Sequence, residues 1–154
     1  MNRGHWQAVR SADLWVHGLV EPSADELQYH QAFERMAEQS AEGLTYNGLG
    51  QNILYQFLIA ELAVRYRLPC IGWSVDVVER GQGLLSYGVA GAEFDYLIDR
   101  WADQVAQVLN GAKIADIPIH QPTKFTLAIN LKTAKALDIE IPAALIARAD
   151  EVIE

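Results

Sequence analysis

The stretch that decides the fold runs from residue 43 to residue 73 and reads GLTYNGLGQNILYQFLIAELAVRYRLPCIGW. Its first segment, GLTYN, and its last, LPCIGW, are short, carry strand formers, and are bounded by glycine or proline. Between them, Asn52 to Arg67 is long enough for a helix and is apolar around most of its girth. A strand, a helix and a second strand in this order are typical of a βαβ unit with parallel strands.

The same alternation extends to both sides of this unit. The further predicted elements are, in chain order, a strand at 13–20, a helix that starts at a Ser23–Glu26 capping box and ends near Ala41, a strand at 84–87, a helix at 92–110, a strand at 124–130, and short helices at 132–137 and after Pro142. Near-continuous apolar strands that alternate with helices predict an α/β fold with a mostly parallel sheet and helices on both faces. With 154 residues and no linker or repeat, we expect one domain over residues 1–154.

The clearest helix is the one at 92–110. Its apolar residues lie on one stripe, and they are Phe94, Leu97, Ile98, Trp101, Val105 and Val108. Asn110-Gly111 is a typical left-handed stop for such a helix.

The charge of the chain excludes one class of partner. It has 20 acidic and 12 basic residues, which gives a formal net charge of −8. Nucleic-acid binding needs clustered Lys and Arg to neutralise phosphates, so we expect no nucleic-acid partner. The single cysteine, Cys70, lies in an apolar run and is predicted to be a small buried hydrophobe rather than a nucleophile.

The residue sets that common enzymes need are missing from the sequence. The chain has no G-x-S-x-G elbow, no Walker phosphate loop and no H-E-x-x-H helix. Its four histidines are widely spaced, and the glycine turns at 48–50 and 81–83 do not complete a dinucleotide-binding fingerprint. Asp95, Asp99 and Asp103 recur every four residues, which is typical of a solvated helix face. We therefore expect a protein that is not an enzyme, with no catalytic residues, no metal site and no cofactor.

Polar and aromatic residues follow three of the predicted strands. In open α/β sheets, ligands bind outside the carboxyl ends of the strands, so these loops are expected to meet at one edge. Aromatic rings offer stacking faces, and Asn and Ser offer hydrogen bonds to a small polar solute. The candidate ligand-binding residues are Asn47 after the first strand of the unit, Trp73, Ser74 and Asp76 after the second, and Ser86, Tyr87 and Gly88 at the next. The alternative for single residues is structural, with Trp73 and Tyr87 in the core and Asn47 as a turn former.

The C-terminal tail is the most specific feature of the sequence. It contains QPTKF at 121–125, INLKTAKAL at 129–137 and RADEVI at 148–153, and the segment GLLSYG at 83–88 adds to the pattern. In these segments the chain resembles the C-terminal lobe of the ABC-transporter substrate-binding proteins whose known members include tryptophan- and tyrosine-binding proteins. The resemblance covers nearly the whole chain but only about half of a family member, which has two lobes.

The resemblance implies a fold and a function. The implied fold is a three-layer, Rossmann-like lobe of a type I periplasmic-binding protein. The implied function is to bind a small organic solute, such as an amino acid, outside the cytoplasm for an ABC importer, with the ABC permease as partner. Such proteins close two lobes around the solute, so a single monomeric lobe is expected to bind weakly. Of the site candidates, Ser86, Tyr87 and Gly88 rest on a family motif, and the others rest on position alone.

The chain also departs from the family pattern. Asp138 stands where the family usually has glycine, and the loops at 48–52 and 74–80 differ. Because these loops face the ligand, the identity of the solute does not carry over. Residues 1–10 contain no apolar segment, so we expect no signal peptide within this chain.

Three hypotheses for the function follow. The first is a solute-binding lobe without chemistry of its own. The second is a truncated, dimerising α/β interaction or regulatory module without a transport role, which forms a homodimer through the surface exposed between the lobes. The third is a small flavodoxin-like enzyme, which ranks last because it needs an acidic phosphoacceptor cluster or a phosphate-binding loop.

Overall fold

Five short strands form one sheet in the structure, a computed structural model that describes residues 25–46, 48 and 50–154. The strands are, in chain order, β1 (Leu44–Thr45), β2 (Cys70–Gly72), β3 (Leu85–Gly88), β4 (Thr126–Asn130) and β5 (Glu151–Ile153). They lie side by side in that same order. The pairs β1–β2, β2–β3 and β4–β5 are parallel, and β3–β4 is antiparallel. The sheet is therefore mostly parallel, as the sequence predicts.

Helices flank this sheet, which confirms the predicted α/β fold class. They are α1 (Glu26–Glu38), α2 (Gln51–Leu54), α3 (Gln56–Arg65), α4 (Val75–Arg80), α5 (Gly91–Leu109), α6 (Leu131–Leu137) and α7 (Ala143–Ile146), with a 3-10 turn at Ile114–Asp116. The connection from β1 to β2 passes through α2 and α3, and the connection from β2 to β3 passes through α4. Parallel neighbours require such crossovers because a tight turn cannot join them. Among the described residues, no helix is both long and apolar enough to cross a membrane.

The largest group of buried side chains joins α1 and α3 to β2. Its members are Tyr29, Phe33, Met36, Ile59, Leu62, Ala63, Leu68 and Cys70. Cys70 is buried, as predicted. Burial raises the pKa of its thiol to about 12, so at neutral pH the nucleophilic thiolate is scarce.

The start of the first described helix differs from the prediction. The N-cap of α1 is Asp25, whose Oδ1 accepts a hydrogen bond from the backbone N–H of Gln28 at 3.0 Å. In return, the Asp25 backbone N–H donates to Gln28 Oε1 at 2.9 Å. The predicted capping box at Ser23 and Glu26 is wrong, because Asp caps as well as Ser does and Gln serves in place of Glu. Ser23 and the predicted strand at 13–20 lie outside the described residues.

Two short elements were not predicted, and one predicted helix is divided. The sequence predicts a single helix over 52–67, whereas the structure has α2 and α3 with a break at Tyr55. The six residues of α4 and the three residues of β5 were missed. Elements this short lack a full hydrophobic period, so their neighbours rather than their own pattern decide their conformation.

The helix α5 contacts the rest of the described chain only lightly. Of the six apolar residues on its predicted stripe, only Leu97 is buried. A hydrogen bond and a ring contact join the helix to the loop that follows it. Gln104 Nε2 donates to the backbone oxygen of Pro118 at 2.9 Å, and the ring centroids of Tyr96 and His120 lie 5.1 Å apart in an edge-on arrangement.

Candidate functional site

The carboxyl ends of β1, β2 and β3 converge on Trp73. A Cβ atom added to Gly48, in the loop after β1, would lie 2.5 Å from the Trp73 indole ring. A Cβ atom added to Gly88, at the end of β3, would clash with the Trp73 carbonyl oxygen. Real Cβ atoms do not approach other atoms this closely, so a side chain at either position would displace Trp73. Three of the loops that the sequence placed at one edge therefore meet in the structure.

Two hydrogen-bond donors are buried at this edge without an acceptor among the described residues. They are the indole Nε1 of Trp73 and the hydroxyl of Tyr46. The Tyr46 ring lies against the backbone of Gly72, where an added Cβ would be 2.6 Å from the hydroxyl oxygen. Burial, and to a smaller extent the Cys70 thiol, raises the pKa of Tyr46 well above its ordinary value. The hydroxyl is therefore protonated at neutral pH and remains a donor.

The two candidate serines lie inside the protein rather than on its surface. Ser86 is completely buried, and its hydroxyl has no partner among the described residues. It pairs in register with Gly72 on one side and with Ala128 on the other. Ser74 is also buried and precedes α4, but its side chain makes no capping hydrogen bond.

Tyr87 presents an aromatic surface next to the buried serine. Successive residues of a strand point to opposite faces, so Ser86 is buried while Tyr87 is 59% exposed. The Tyr87 ring stacks on Phe125, with centroids 5.4 Å apart and planes 22° apart. The alternative of Tyr87 as a core residue is therefore wrong, whereas Trp73 is half-buried.

The remaining two candidates do not join this group in the structure. Asp76 lies in the first turn of α4, and its Oδ1 is 3.5 Å from Nε of Arg80, four residues further along the same helix. Both side chains of this ion pair are exposed, so the carboxylate engages its own helix rather than the neighbouring loops. Asn47 lies outside the described residues.

Sequence reasoning missed two residues of this edge, Tyr46 and Phe125. Tyr46 had a usable signal, because it follows the strand residues Leu44 and Thr45 and its extended register places it opposite Gly72, where a ring can cover bare backbone. Phe125 had none, because its position depends on the antiparallel pairing of β3 with β4, which the sequence did not predict.

The edge offers binding groups rather than catalytic ones. The space beneath the loops, lined among others by Tyr46, Gly72 and Ser74, is too small to admit a water molecule, so these residues do not enclose a pocket. Across the part of the chain that the structure describes, no three His, Cys, Asp or Glu side chains are grouped to hold a metal ion. The available chemistry is hydrogen-bond donation and aromatic contact.

Comparison with known proteins identifies the family. Residues 12–153 match the family model described as ABC transporter substrate binding protein. The chain belongs to this family. It is a family of solute-binding proteins rather than enzymes, which argues against the flavodoxin-like enzyme hypothesis. Among curated proteins, the comparison finds no match.

Two solved structures share the fold. A conserved domain protein from Vibrio cholerae has a TM-score of 0.68 at 24% identity, over 82% of this chain and 41% of its own length. An ABC domain in complex with L-Trp from Streptococcus pneumoniae has a TM-score of 0.64 at 24% identity, over 82% of this chain and 42% of its own length. The chain therefore spans less than half the length of the solved structures that it matches.

Proposed function

We propose that residues 1–154 are one lobe of a solute-binding protein that serves an ABC importer. In this proposal, the carboxyl ends of β1, β2 and β3 contact a small organic solute such as an amino acid. The observation that best supports it is the convergence of Gly48 and Gly88 on Trp73, at the edge where open α/β sheets bind ligands. The family membership over residues 12–153 supports the same function.

The chemistry of this edge suits a solute with an aromatic ring and an acceptor oxygen. Tyr87 and Phe125 form an exposed stack that can be extended by a third ring. The Tyr46 hydroxyl and the Trp73 indole are buried donors without an acceptor among the described residues, and a carboxylate or carbonyl oxygen would complement them once the loops that cover them open. The L-Trp in the similar Streptococcus pneumoniae structure has both features and supports an aromatic amino acid as the solute.

The rest of the proposed machinery lies outside this chain. Solute-binding proteins of two lobes bury the solute by closing, and the closed form is what a permease recognises. We propose an extracytoplasmic location and an ABC permease as partner, because both belong to the transport role of the family. One lobe supplies only part of the contacts, so we expect its affinity for the solute to be weaker than micromolar.

A thermal-shift screen of the chain tests this function. Amino acids, small organic acids and purines are each added at roughly 10 mM, and a dissociation constant near 1 mM then stabilises the fold by about 1.4 kcal/mol. For a chain of this size that corresponds to a rise in melting temperature of about 3 to 5 °C. If no compound of these classes raises the melting temperature, this lobe does not bind solute in the proposed way.

A matched pair of variants locates the site. Tyr87→Ala removes the exposed ring at the strand ends, and Tyr96→Ala removes a similarly exposed ring on α5 that also contacts an aromatic neighbour. We expect Tyr87→Ala to abolish the solute-dependent shift and Tyr96→Ala to preserve it. An equal effect of both substitutions would mean that the solute binds elsewhere. Sub-micromolar binding of a solute by a monomer would contradict the one-lobe proposal.

The second candidate function is a dimerising interaction module. The observation that favours it is the row of exposed apolar side chains on α5, because soluble monomers rarely leave such a row uncovered. In this alternative the chain forms a homodimer and has no transport role.

A further inference from the structure

Two buried hydroxyl groups lie on either side of a glycine on one face of the sheet. Thr45 pairs with Ile71, and Gly72 pairs with Ser86, so Tyr46, Gly72 and Ser86 are level with one another in a single row across three strands. Residues in register on neighbouring strands point to the same face. The Tyr46 hydroxyl lies against the bare backbone of Gly72, and the Ser86 side chain follows on its other side.

The two residues that follow β2 lie over this row. Gly88 is two residues beyond Ser86 in β3 and therefore points to the same face. A Cβ atom added to Gly88 would clash with the backbone oxygen of Trp73. Ser74, the next residue, lines a narrow space together with Tyr46. Residues 73–74 are called the cover below.

Three polar groups beneath and within the cover are unpaired. They are the hydroxyls of Tyr46 and Ser86 and the indole Nε1 of Trp73, and all three atoms are buried without a hydrogen-bond partner among the described residues. The space that Tyr46 lines with Ser74 is too small to admit a water molecule. A second lobe or another molecule does not reach atoms that this domain itself buries. A movement within the domain is therefore needed before these groups can bind anything.

The cover is held less firmly than the helix that follows it. The helix α4 is anchored by the buried side chains of Val77 and Val78, and by the hydrogen bond from Asn130 Nδ2 to the Val78 oxygen. The Trp73 indole has no acceptor, and the Ser74 side chain makes no capping hydrogen bond. Because unpaired buried polar groups cost free energy in the closed arrangement, opening the cover is expected to cost less than unfolding the core.

We propose that Trp73 and Ser74 form a displaceable cover, which opens as a local movement and presents the Tyr46 and Ser86 hydroxyls to a solute. Both hydroxyls donate hydrogen bonds, so the uncovered cleft suits the oxygen atoms of a carboxylate or an amide. The three unpaired groups then belong to the domain without solute, and binding supplies the hydrogen bonds that folding leaves out. Local rules of stability are commonly broken at functional sites in this way.

This inference rests on the proposed function only for what enters the cleft. Its tests use the chain without any solute, so the two proposals fail separately. A melting temperature that no compound raises counts against the binding lobe, whereas a cleft that does not open locally counts against the cover.

Thiol labelling measures the opening. Ser86→Cys replaces a completely buried hydroxyl by a thiol, and the native Cys70, packed with side chains of α1 and α3, is the reference in the same molecule. Each labelling rate is divided by the rate of the same thiol in the unfolded chain and is followed as denaturant is added. We expect the thiol at position 86 to react at least about tenfold faster than Cys70 and to depend less on denaturant, since a local opening exposes little surface.

The matched control is Ala63→Cys, on the buried side of α3. Its thiol is expected to react at the normalised rate of Cys70, because the proposal leaves α3 in place. Equal normalised rates at positions 86, 63 and 70, with equal dependence on denaturant, would show that only global unfolding exposes Ser86. That result would overturn the cover.

A pair of tyrosine substitutions gives a second test, which does not require Ser86→Cys to fold. Tyr46→Phe removes an unpaired hydroxyl, so we expect the melting temperature to rise by roughly 2 to 4 °C. Tyr29→Phe is the control, because Tyr29 is also buried but its hydroxyl donates to Asn52 Oδ1 at 2.8 Å, and its loss should lower the melting temperature. A Tyr46→Phe variant that is no more stable than the unmodified chain would mean that this hydroxyl is already paired beneath the cover, which would overturn the proposal.

Discussion

Asp138 adopts a backbone conformation that is unfavourable for most residues other than glycine. It ends α6 with φ 61° and ψ 41°, in the left-handed region. Glycine adopts this conformation without the Cβ penalty that other residues incur. The Asp138 carboxylate also lies at a helix C-terminus, where the helix dipole disfavours negative charge. The backbone at this position therefore favours glycine over aspartate.

We expect Asp138→Gly to raise the free energy of unfolding by about 0.5 to 1 kcal/mol, because it relieves both the backbone strain and the charge. Asp138→Asn removes the charge alone and should give a smaller gain. Denaturant titrations of the three proteins measure both steps. A less stable glycine variant would mean that the Asp138 side chain has a stabilising contact in solution.

At the scale of secondary-structure elements, the Asn130 side chain connects β4, α4 and α6. It is the last residue of β4, and its Oδ1 accepts a hydrogen bond from the backbone N–H of Thr133 in the first turn of α6 at 3.0 Å. Its Nδ2 donates to the backbone oxygen of Val78 in α4 at 3.0 Å, inside the protein. The amide provides an acceptor and a donor on two separate atoms, whereas an ionised carboxylate provides acceptors only.

Asn130→Ala is expected to lower the free energy of unfolding by about 2 to 3 kcal/mol, since it removes a helix cap and leaves the buried Val78 oxygen without a donor. Asn130→Asp keeps the cap but turns an oxygen towards the Val78 carbonyl, so we expect this variant to be no more stable than Asn130→Ala. Asn110→Ala, at the exposed end of α5, is the matched control and should change stability little. If Asn130→Asp were as stable as the unmodified protein, the hydrogen bond to Val78 would not contribute to the free energy of unfolding.

The elements that the sequence predicted are those with enough residues to show a period. The strand at β2, the helix α5 and the β4–α6 junction follow from apolar spacing and turn residues. The helix α4 and the strand β5 were missed because three to six residues do not complete a pattern, and their partners, Asn130 for α4 and Ala128 for the start of β5, are distant in sequence.

For the candidate site, the sequence predicted the edge but not the arrangement of its side chains. Strand ends at one edge follow from the parallel order alone, so Trp73, Ser86 and Gly88 were found together. The burial of Ser86 depends on the register of β3 between its two neighbours. The pairing of Asp76 with Arg80 depends on α4, which was not predicted.

At the scale of the whole molecule, the acidic composition brings carboxylates into contact. Glu151 in β5 hydrogen-bonds the side chain of Glu79 in α4, and this bond, partial burial and the charges of Glu79 and Asp150 raise the pKa of Glu151 above its ordinary value of 4.5. In the folded protein, one proton between the two glutamates is therefore held to a higher pH than in the unfolded chain.

The raised pKa of Glu151 determines how the stability of the protein changes with pH. Between 4.5 and the raised pKa of Glu151, the folded state binds more protons than the unfolded state, so stability falls as the pH rises through this window. Glu151→Gln keeps a hydrogen-bond donor without the charge, and we expect its melting temperature to fall less over the same range. Glu34→Gln, on an exposed face of α1, makes the same change in net charge and should follow the unmodified protein. Parallel pH profiles for all three would contradict the role of the Glu79–Glu151 contact.

The antiparallel pairing of β3 with β4 also determines which part of the molecule can be exchanged. Gly88 and Thr126 are partners in that ladder, and a turn of two residues suffices to join adjacent antiparallel strands. Everything from residue 89 to residue 125, including α5, is thus topologically an enlarged hairpin loop, and lengthening such a loop costs only about 0.6 kcal/mol for each doubling. Mutation and insertion can therefore change the outward face of this segment, or replace the segment, without changing the strand order of the sheet whose strand ends hold the candidate site.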